Sequence, residues 1–144
     1  YSIRPQEFSQ RYADVSSLGE FVTREFRLQD SKNRQASIPV EANSELALEW
    51  EKRQQDLLGL VKEHYKWCLS VGGAKEVARV ILPEGLTPSR LYFNGSVRNW
   101  SFYLKSRLHE STQKEHRELA QAVLVELRKA APISVGAFFP LEVV

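Results

Sequence analysis

The chain has 144 residues, 42% of them hydrophobic and 26% charged, with 20 basic against 18 acidic side chains and a net charge of +2. That describes one ordinary soluble domain with enough chain to bury a core, and a charge too balanced for a protein held to nucleic acid mainly by phosphate contacts. The single cysteine, Cys68, excludes an internal disulfide and a cysteine-built metal site and makes a reducing cytoplasm the default location.

His64, His109 and His116 lack paired zinc-ligand spacing, so no metal is expected. No apolar run approaches the roughly 18 residues that span a bilayer. No signal-peptide pattern opens the chain, and no membrane partner is expected. Methionine is absent, including at position 1, which gives the expectation that the chain begins inside a longer protein.

In chain order, residues 1–17 read as irregular, with Pro5 arguing against a helix. Glu20 to Gln29 alternates apolar and polar side chains (Phe21, Thr23, Phe26, Leu28) and reads as a short strand. Asp30 to Ser37 is a polar loop. The clearest helix runs from about Ser44 to Ser70, capped by Asn43 or Ser44 and ended by Gly72-Gly73. Its expected apolar stripe is Leu46, Trp50, Leu57, Leu58, Val61, Tyr65 and Cys68. A short helix follows from Ala74 to Leu82 and stops at Pro83; Glu84 to Pro88 is a turn, and Ser89 to Asn94 a brief strand. Two further helices are expected, Ser96 to Leu108 and Thr112 to Ala131, the second ended by Pro132. Leu119, Ala122, Val123, Val125, Glu126 and Leu127 mark a broad face on that last helix. The apolar tail 133–144, with Phe138, Phe139, Leu141, Val143 and Val144, is expected to dock on a neighbour. The fold class is α+β, mostly helical with few short strands, in a single domain over 1–144.

Gln6-Glu7-Phe8-Ser9-Gln10-Arg11-Tyr12 packs a carboxylate, a hydroxyl, two amides, a guanidinium and a phenol around one phenyl ring. With Glu76-Val77-Ala78-Arg79 and the stretch Arg98 to Arg107, it reads as one wall of an anion-binding site. Arg79 lies three residues after Glu76, a spacing that equally suits a surface ion pair of a few tenths of a kcal/mol. Arg98 and Arg107 are nine residues apart, and at about 100° per residue they point to opposite sides of their helix. Phe102 falls near Arg98, while Trp100, Tyr103 and Leu104 fall nearer Arg107. That helix either serves two pockets or carries one solvated arginine and one that lies along an aromatic ring. Cys68, on the helical stripe, reads as a buried structural thiol rather than a nucleophile. Ser9 has no histidine nearby in sequence and reads as a hydrogen-bond donor to a ligand oxygen. His116 reads as a surface helix residue.

Taken together these segments resemble the flavin-dependent thymidylate synthases. The family's polar loop ending Glu-x-Ser-x-Arg-Tyr is matched by Glu7, Ser9, Arg11 and Tyr12, and its Glu-Val-Ala-Arg…Leu-Pro element by Glu76-Val77-Ala78-Arg79 and Leu82-Pro83. Its arginine pair on one helix is matched by Arg98 and Arg107, and its Gln-x-Glu segment by Gln113 and Glu115. The family's Arg-His-Arg motif and the N-terminal part before the loop are not in this sequence. Ser96 and Phe102 stand where the family often carries asparagine or histidine.

The resemblance implies reductive methylation of dUMP to dTMP, with methylenetetrahydrofolate as carbon donor and FAD reduced by NADPH as hydride donor. It implies no attacking cysteine, in keeping with the core-like position of Cys68. Carried over by position, Glu7, Phe8, Ser9, Gln10, Arg11, Arg79 and Arg107 would bind dUMP. Glu7, Ser96, Val97, Arg98 and Phe102 would border FAD, and Arg107 would be the catalytic residue. A homotetramer with shared active sites is implied, which would account for arginines on opposite faces of one helix. The alternative is a non-catalytic relative that keeps the fold and oligomer interface without flavin chemistry, a reading prompted by Ser96, Phe102 and the missing motif.

Overall fold

The computed structural model describes residues 3–140. Their contacts group them into two units. One holds the described residues of Tyr1–Pro5, Gln29–Ile38 and Phe93–Val144; the other holds Gln6–Leu28 and Pro39–Tyr92. Four short strands pair two by two: β1 (Arg4–Glu7) with β4 (Leu91–Asn94), and β2 (Arg27–Gln29) with β3 (Ser37–Pro39).

The second unit is built on α1 (Glu45–Ser70). Its start is set by Ser44, whose side chain accepts from the Ala47 N–H at 3.3 Å, with Glu45 placed favourably in the first turn. Its end is set by Gly72 at φ +83°, a left-handed position that glycine adopts without a Cβ penalty. There the N–H groups of Gly72 and Gly73 close onto the carbonyls of Leu69 and Cys68. The short α2 (Lys75–Ala78) runs straight into a 3-10 turn, Arg79–Ile81. Val15, at the start of the 3-10 helix Val15–Leu18, packs with Tyr65 and Ala78, and Cys68, Leu69 and Leu82 lie against this cluster.

Gln54 is a buried polar residue of α1 whose amide is bonded at both its oxygen and its nitrogen. Its Oε1 accepts from the Arg24 N–H and its Nε2 donates to the Arg24 carbonyl, both at 2.8 Å. The Trp50 indole N–H donates to that same carbonyl at 2.9 Å. The segment before β2 is thereby held on the helix through one residue's backbone.

In the first unit, α3 (Val97–Arg107), α4 (Lys114–Ala130) and α5 (Pro132–Phe138) pack on one another. Leu104, Ala120 and Val135 form its buried centre. Ser101 is also buried and donates its hydroxyl to the Val97 carbonyl one turn back, at 2.9 Å.

Several sequence expectations change. Residues 1–17 are not wholly irregular: Pro5 sits in exposed β1, where its missing N–H costs no ladder bond on the outer edge. Of Glu20 to Gln29, only Arg27–Gln29 is strand. Of the expected α1 stripe, Leu58, Val61 and Tyr65 are buried, whereas Leu46, Trp50 and Leu57 are exposed on a neighbouring face. Leu119 and Val125 of α4 are likewise exposed, and Ala120 takes the buried place. Pro132 does not merely end α4; it opens α5, because proline at a helix's first position gives up only an N–H that is unpaired there anyway. Phe138 and Phe139 belong to the end of α5, while Leu141, Val143 and Val144 lie outside the described residues. The mostly helical α+β class stands.

Candidate functional site

β1 delivers the chain into a loop that the second unit ties down at several points. The Phe8 N–H donates to the Arg90 carbonyl at 2.9 Å, and Ser89 Oγ donates to Glu7 Oε1 at 2.7 Å. Beyond them the Ser9 carbonyl accepts from the N–H groups of Tyr12 and Ala13 at 3.2 and 3.1 Å, which turns the chain back on itself. Arg11 then pairs with Glu76 of α2 at 3.3 Å, and Lys75 Nζ donates to the Tyr12 carbonyl at 3.2 Å. The Arg11 guanidinium also lies 5.4 Å from the centre of the Tyr12 ring.

Glu7, Ser9 and Arg11 are exposed, and Phe8 and Gln10 are half-buried. Arg79 is exposed and stands three residues beyond Glu76, where α2 passes into its 3-10 turn. Glu76 therefore pairs with Arg11, 65 residues away, where the spacing alone had suggested Arg79. The unit brings together Glu7, Phe8, Ser9, Gln10 and Arg11 and fastens their loop to the helical run that carries Arg79. A guanidinium and a hydroxyl on a tight loop are donors of the kind that suit a phosphate-sized anion.

The remaining site residues belong to the first unit. Ser96 caps α3 by accepting from the Asn99 N–H at 3.3 Å, and Val97 opens the helix. The Arg98 guanidinium lies 5.8 Å from the Phe102 ring centre, so this pair does share a face. Ile3, Arg98, Asn99 and Phe102 line a cavity of about 480 Å³. Phe102 is exposed and meets Phe138 of α5 edge-on, with ring centres 6.0 Å apart. Close approach of backbone is needed at Gly95, where a Cβ would come within 3.1 Å of Ile3 Cγ1.

A guanidinium, a phenyl ring and an aliphatic side chain around one cavity fit a flat aromatic group that carries negative charge. Phe102 offers a ring face and no side-chain hydrogen-bond donor. Among the described residues no cluster of histidine, cysteine, aspartate and glutamate could hold a metal ion.

Arg107 is exposed at the other end of α3, where a cation is favoured by the helix dipole. Burial raises the Tyr103 hydroxyl above its ordinary range, and the Arg107 charge draws it back down. That hydroxyl meets His116 Nε2 at 3.0 Å, and Trp100 packs edge-on to the same ring at 5.5 Å. His116 is therefore half-buried in an aromatic group rather than a surface residue. Gln113 Nε2 donates to Glu115 Oε2 at 2.9 Å.

Sequence reasoning missed Ser89, Lys75 and the outward role of Glu76. Each acts on the loop from 63 to 82 residues away, a separation across which periodicity carries no signal. It also missed a cavity of about 300 Å³ lined by Asp14, Phe21, Lys62, Tyr65, Lys66 and Leu82, of which only Leu82 belongs to a motif and none is a candidate site residue. Cys68 is half-buried against the Val15–Tyr65–Ala78 cluster, as its place on the stripe implied.

Residues 2–133 match the family model described as thymidylate synthase complementing protein. A probable flavin-dependent thymidylate synthase of Paramecium bursaria Chlorella virus 1 is 40% identical over 117 residues, which cover 81% of this chain and 52% of that protein. The flavin-dependent thymidylate synthase of Synechocystis sp. is 42% identical over 139 residues, covering 92% and 59%. The chain thus spans about half the length of these curated relatives. Among solved structures, the UMP/dUMP methylase PolB from Streptomyces cacaoi bound with 5-Br UMP superposes with a TM-score of 0.77 at 21% identity, over 94% of this chain and 64% of that one. That likeness is one of fold.

Proposed function

The chain belongs to the thymidylate synthase complementing protein family, and we propose that the protein carrying it methylates dUMP reductively to dTMP. Methylenetetrahydrofolate gives the carbon and NADPH the reducing equivalents. FAD, when bound, supplies the hydride that takes the transferred carbon to a methyl group. The observation that carries this reading is the loop Glu7–Arg11 fastened to the helical run of Glu76 and Arg79 by the Arg11–Glu76 pair.

In this reading Arg11 and Arg79 take the dUMP phosphate through charge-assisted bonds, and Ser9 donates its hydroxyl to a ligand oxygen. Glu7, Phe8 and Gln10 complete the nucleotide loop. Arg107 faces the uracil edge, favours ionisation at N3, and stabilises negative charge that develops on the ring. Glu7, Ser96, Val97, Arg98 and Phe102 hold FAD, the last two through the guanidinium and ring that share one cavity. The half-buried setting of Cys68 supports a route without an attacking thiol. A homotetramer with active sites shared between subunits completes the reading.

The test is the visible flavin spectrum of the full-length protein, recorded with and without dUMP. A flavin band that dUMP perturbs is the expected result and puts both ligands in one site. A colourless protein that cannot be loaded with FAD would overturn it and leave a non-catalytic relative that keeps the fold and oligomer interface.

A further inference from the structure

α1 carries a second stripe that its own unit leaves largely exposed, although Trp50 within it bonds to the Arg24 carbonyl and packs against Phe26. Leu46, Trp50, Arg53, Leu57, Leu60, His64, Trp67 and Val71 follow one another at alternating steps of four and three residues. That is the 3.5-residue period of a seam between two helices. The buried stripe of Gln54, Leu58, Val61 and Tyr65 lies on the adjoining face and is used up within the unit. The apolar members of the seam are exposed: Leu46 by 57%, Trp50 by 40%, Leu57 by 47%, Leu60 by 57%, Trp67 by 64% and Val71 by 62%. Those fractions amount to on the order of 700 Å² of exposed residue surface, comparable with the roughly 800 Å² per partner of a standard interface.

What covers the seam is written in its order. About the peptide joining Leu58 to Gly59, Leu57 mirrors Leu60, Arg53 mirrors His64, Trp50 mirrors Trp67 and Leu46 mirrors Val71. Laid antiparallel on itself around a two-fold axis at that peptide, the seam therefore sets leucine on leucine and tryptophan on tryptophan, since residue i then meets j while j meets i. A partner of different sequence imposes no such order.

The polar layer is complementary as well. His64 Nδ1 lies 2.7 Å from the Leu60 carbonyl. A carbonyl only accepts, so Nδ1 donates, and in that single-proton tautomer Nε2 is the acceptor. Arg53, bonded to Glu49 at 2.8 Å, has further N–H donors for it. Donor therefore faces acceptor when the seam is laid against its own reverse.

We propose that α1 pairs antiparallel with α1 of a second copy about a two-fold axis at Leu58–Gly59, with Trp50 of each copy against Trp67 of the other. The pairing deepens the homo-oligomer of the proposed function and rests on it for the second copy.

The test uses the full-length protein with Cys68 and any other cysteine replaced by alanine. Trp50→Cys and Trp67→Cys variants are oxidised separately and as a mixture; only the mixture should form disulfide-linked dimers. Independently, Leu57→Glu with Leu60→Glu should halve the solution mass while helicity by circular dichroism is kept, because both leucines are exposed. An oligomer of unchanged mass in that variant, with no 50–67 cross-link, overturns the pairing and leaves the oligomer standing. A monomeric unsubstituted protein overturns both.

Discussion

Arg11 and Glu76 stand 65 residues apart in sequence and 3.3 Å apart in space, guanidinium to carboxylate. Both side chains are about half exposed, 51% and 56%, so the pair itself contributes under about 1 kcal/mol to stability. Its consequence is positional: it stations a cation in a loop already turned by the Ser9 carbonyl. Arg11→Ala is therefore expected to leave the melting temperature almost unchanged. It should weaken dUMP binding about tenfold or more, the loss of one charge-assisted hydrogen bond of roughly 1.5–3 kcal/mol. Thermal melting and titration calorimetry on the full-length protein read the two. Unaltered affinity in Arg11→Ala and in Arg79→Ala would remove the phosphate role from this loop.

The motifs that mark this loop were legible in the sequence because they are local: Glu7 to Tyr12 and Glu76 to Arg79 are short runs of unusual composition. Helix α1 was legible for a similar reason, since Ser44 and Gly72 punctuate it. Which face of α1 is buried was not. Leucines and tryptophans occupy two adjoining stripes, and the choice between them is made by Gln54, a polar residue buried because Arg24 meets both ends of its amide. The pairing of β1 with β4 depends on partners far along the chain: β4 was legible as the brief strand within Ser89 to Asn94, whereas the polar β1 was not. His116 looked solvated because its neighbours in sequence are charged. Its partner, Tyr103, sits on another helix.

Two glycines, one inside α1 and one just past its end, should respond oppositely to alanine. Gly59 lies inside α1, and a Cβ there would meet no atom within 4 Å. Gly59→Ala should stabilise the protein by about 0.5–1 kcal/mol, by reducing the freedom of the unfolded chain and favouring the helix. At Gly73 a Cβ would drive into the Cys68 sulfur and lie 2.6 Å from the Cys68 carbonyl oxygen. That carbonyl is held in place by accepting the Gly73 N–H at 2.8 Å. Gly73→Ala should cost about 1–3 kcal/mol. Urea denaturation of both variants checks the pair, and shifts of the same sign would contradict it.

Asp14 gives the unit around α1 a specific acid dependence. Its Oδ1 accepts from the Ser16 N–H at 2.9 Å and caps the 3-10 helix. That backbone bond is the main reason its carboxyl sits below the ordinary value of 3.8; burial opposes the shift, while Tyr65 and Lys75 assist it. A folded pKa below the unfolded one contributes stability above the unfolded value and loses it as pH falls through the folded value. Asp14→Ala should therefore cost about 1 kcal/mol near neutrality. The gap between the variant and the unsubstituted protein should narrow as pH drops below 3.8. Urea midpoints measured across that range decide it, and a gap that stays constant with pH would count against the ionised cap.

Arg107 separates a role in the reaction from a role in the fold. It sits one turn beyond Tyr103, whose half-buried ring is fixed by His116 at 3.0 Å and by Trp100, and its own side chain is exposed. Little of the core depends on it: the buried residue of that turn is Leu104. Arg107→Ala should accordingly leave the melting temperature nearly unchanged. In the full-length protein it should lower kcat by about 10²–10³, the usual cost of removing one preorganised donor from developing charge. Flavin content should not change, because Arg98 and Phe102 occupy the other end and face of α3. Arg107→Lys keeps the charge but loses the planar fork, so it should recover only part of the rate. If both variants lost flavin and rate in parallel, Arg107 would be acting through the cofactor's seat and not at the pyrimidine.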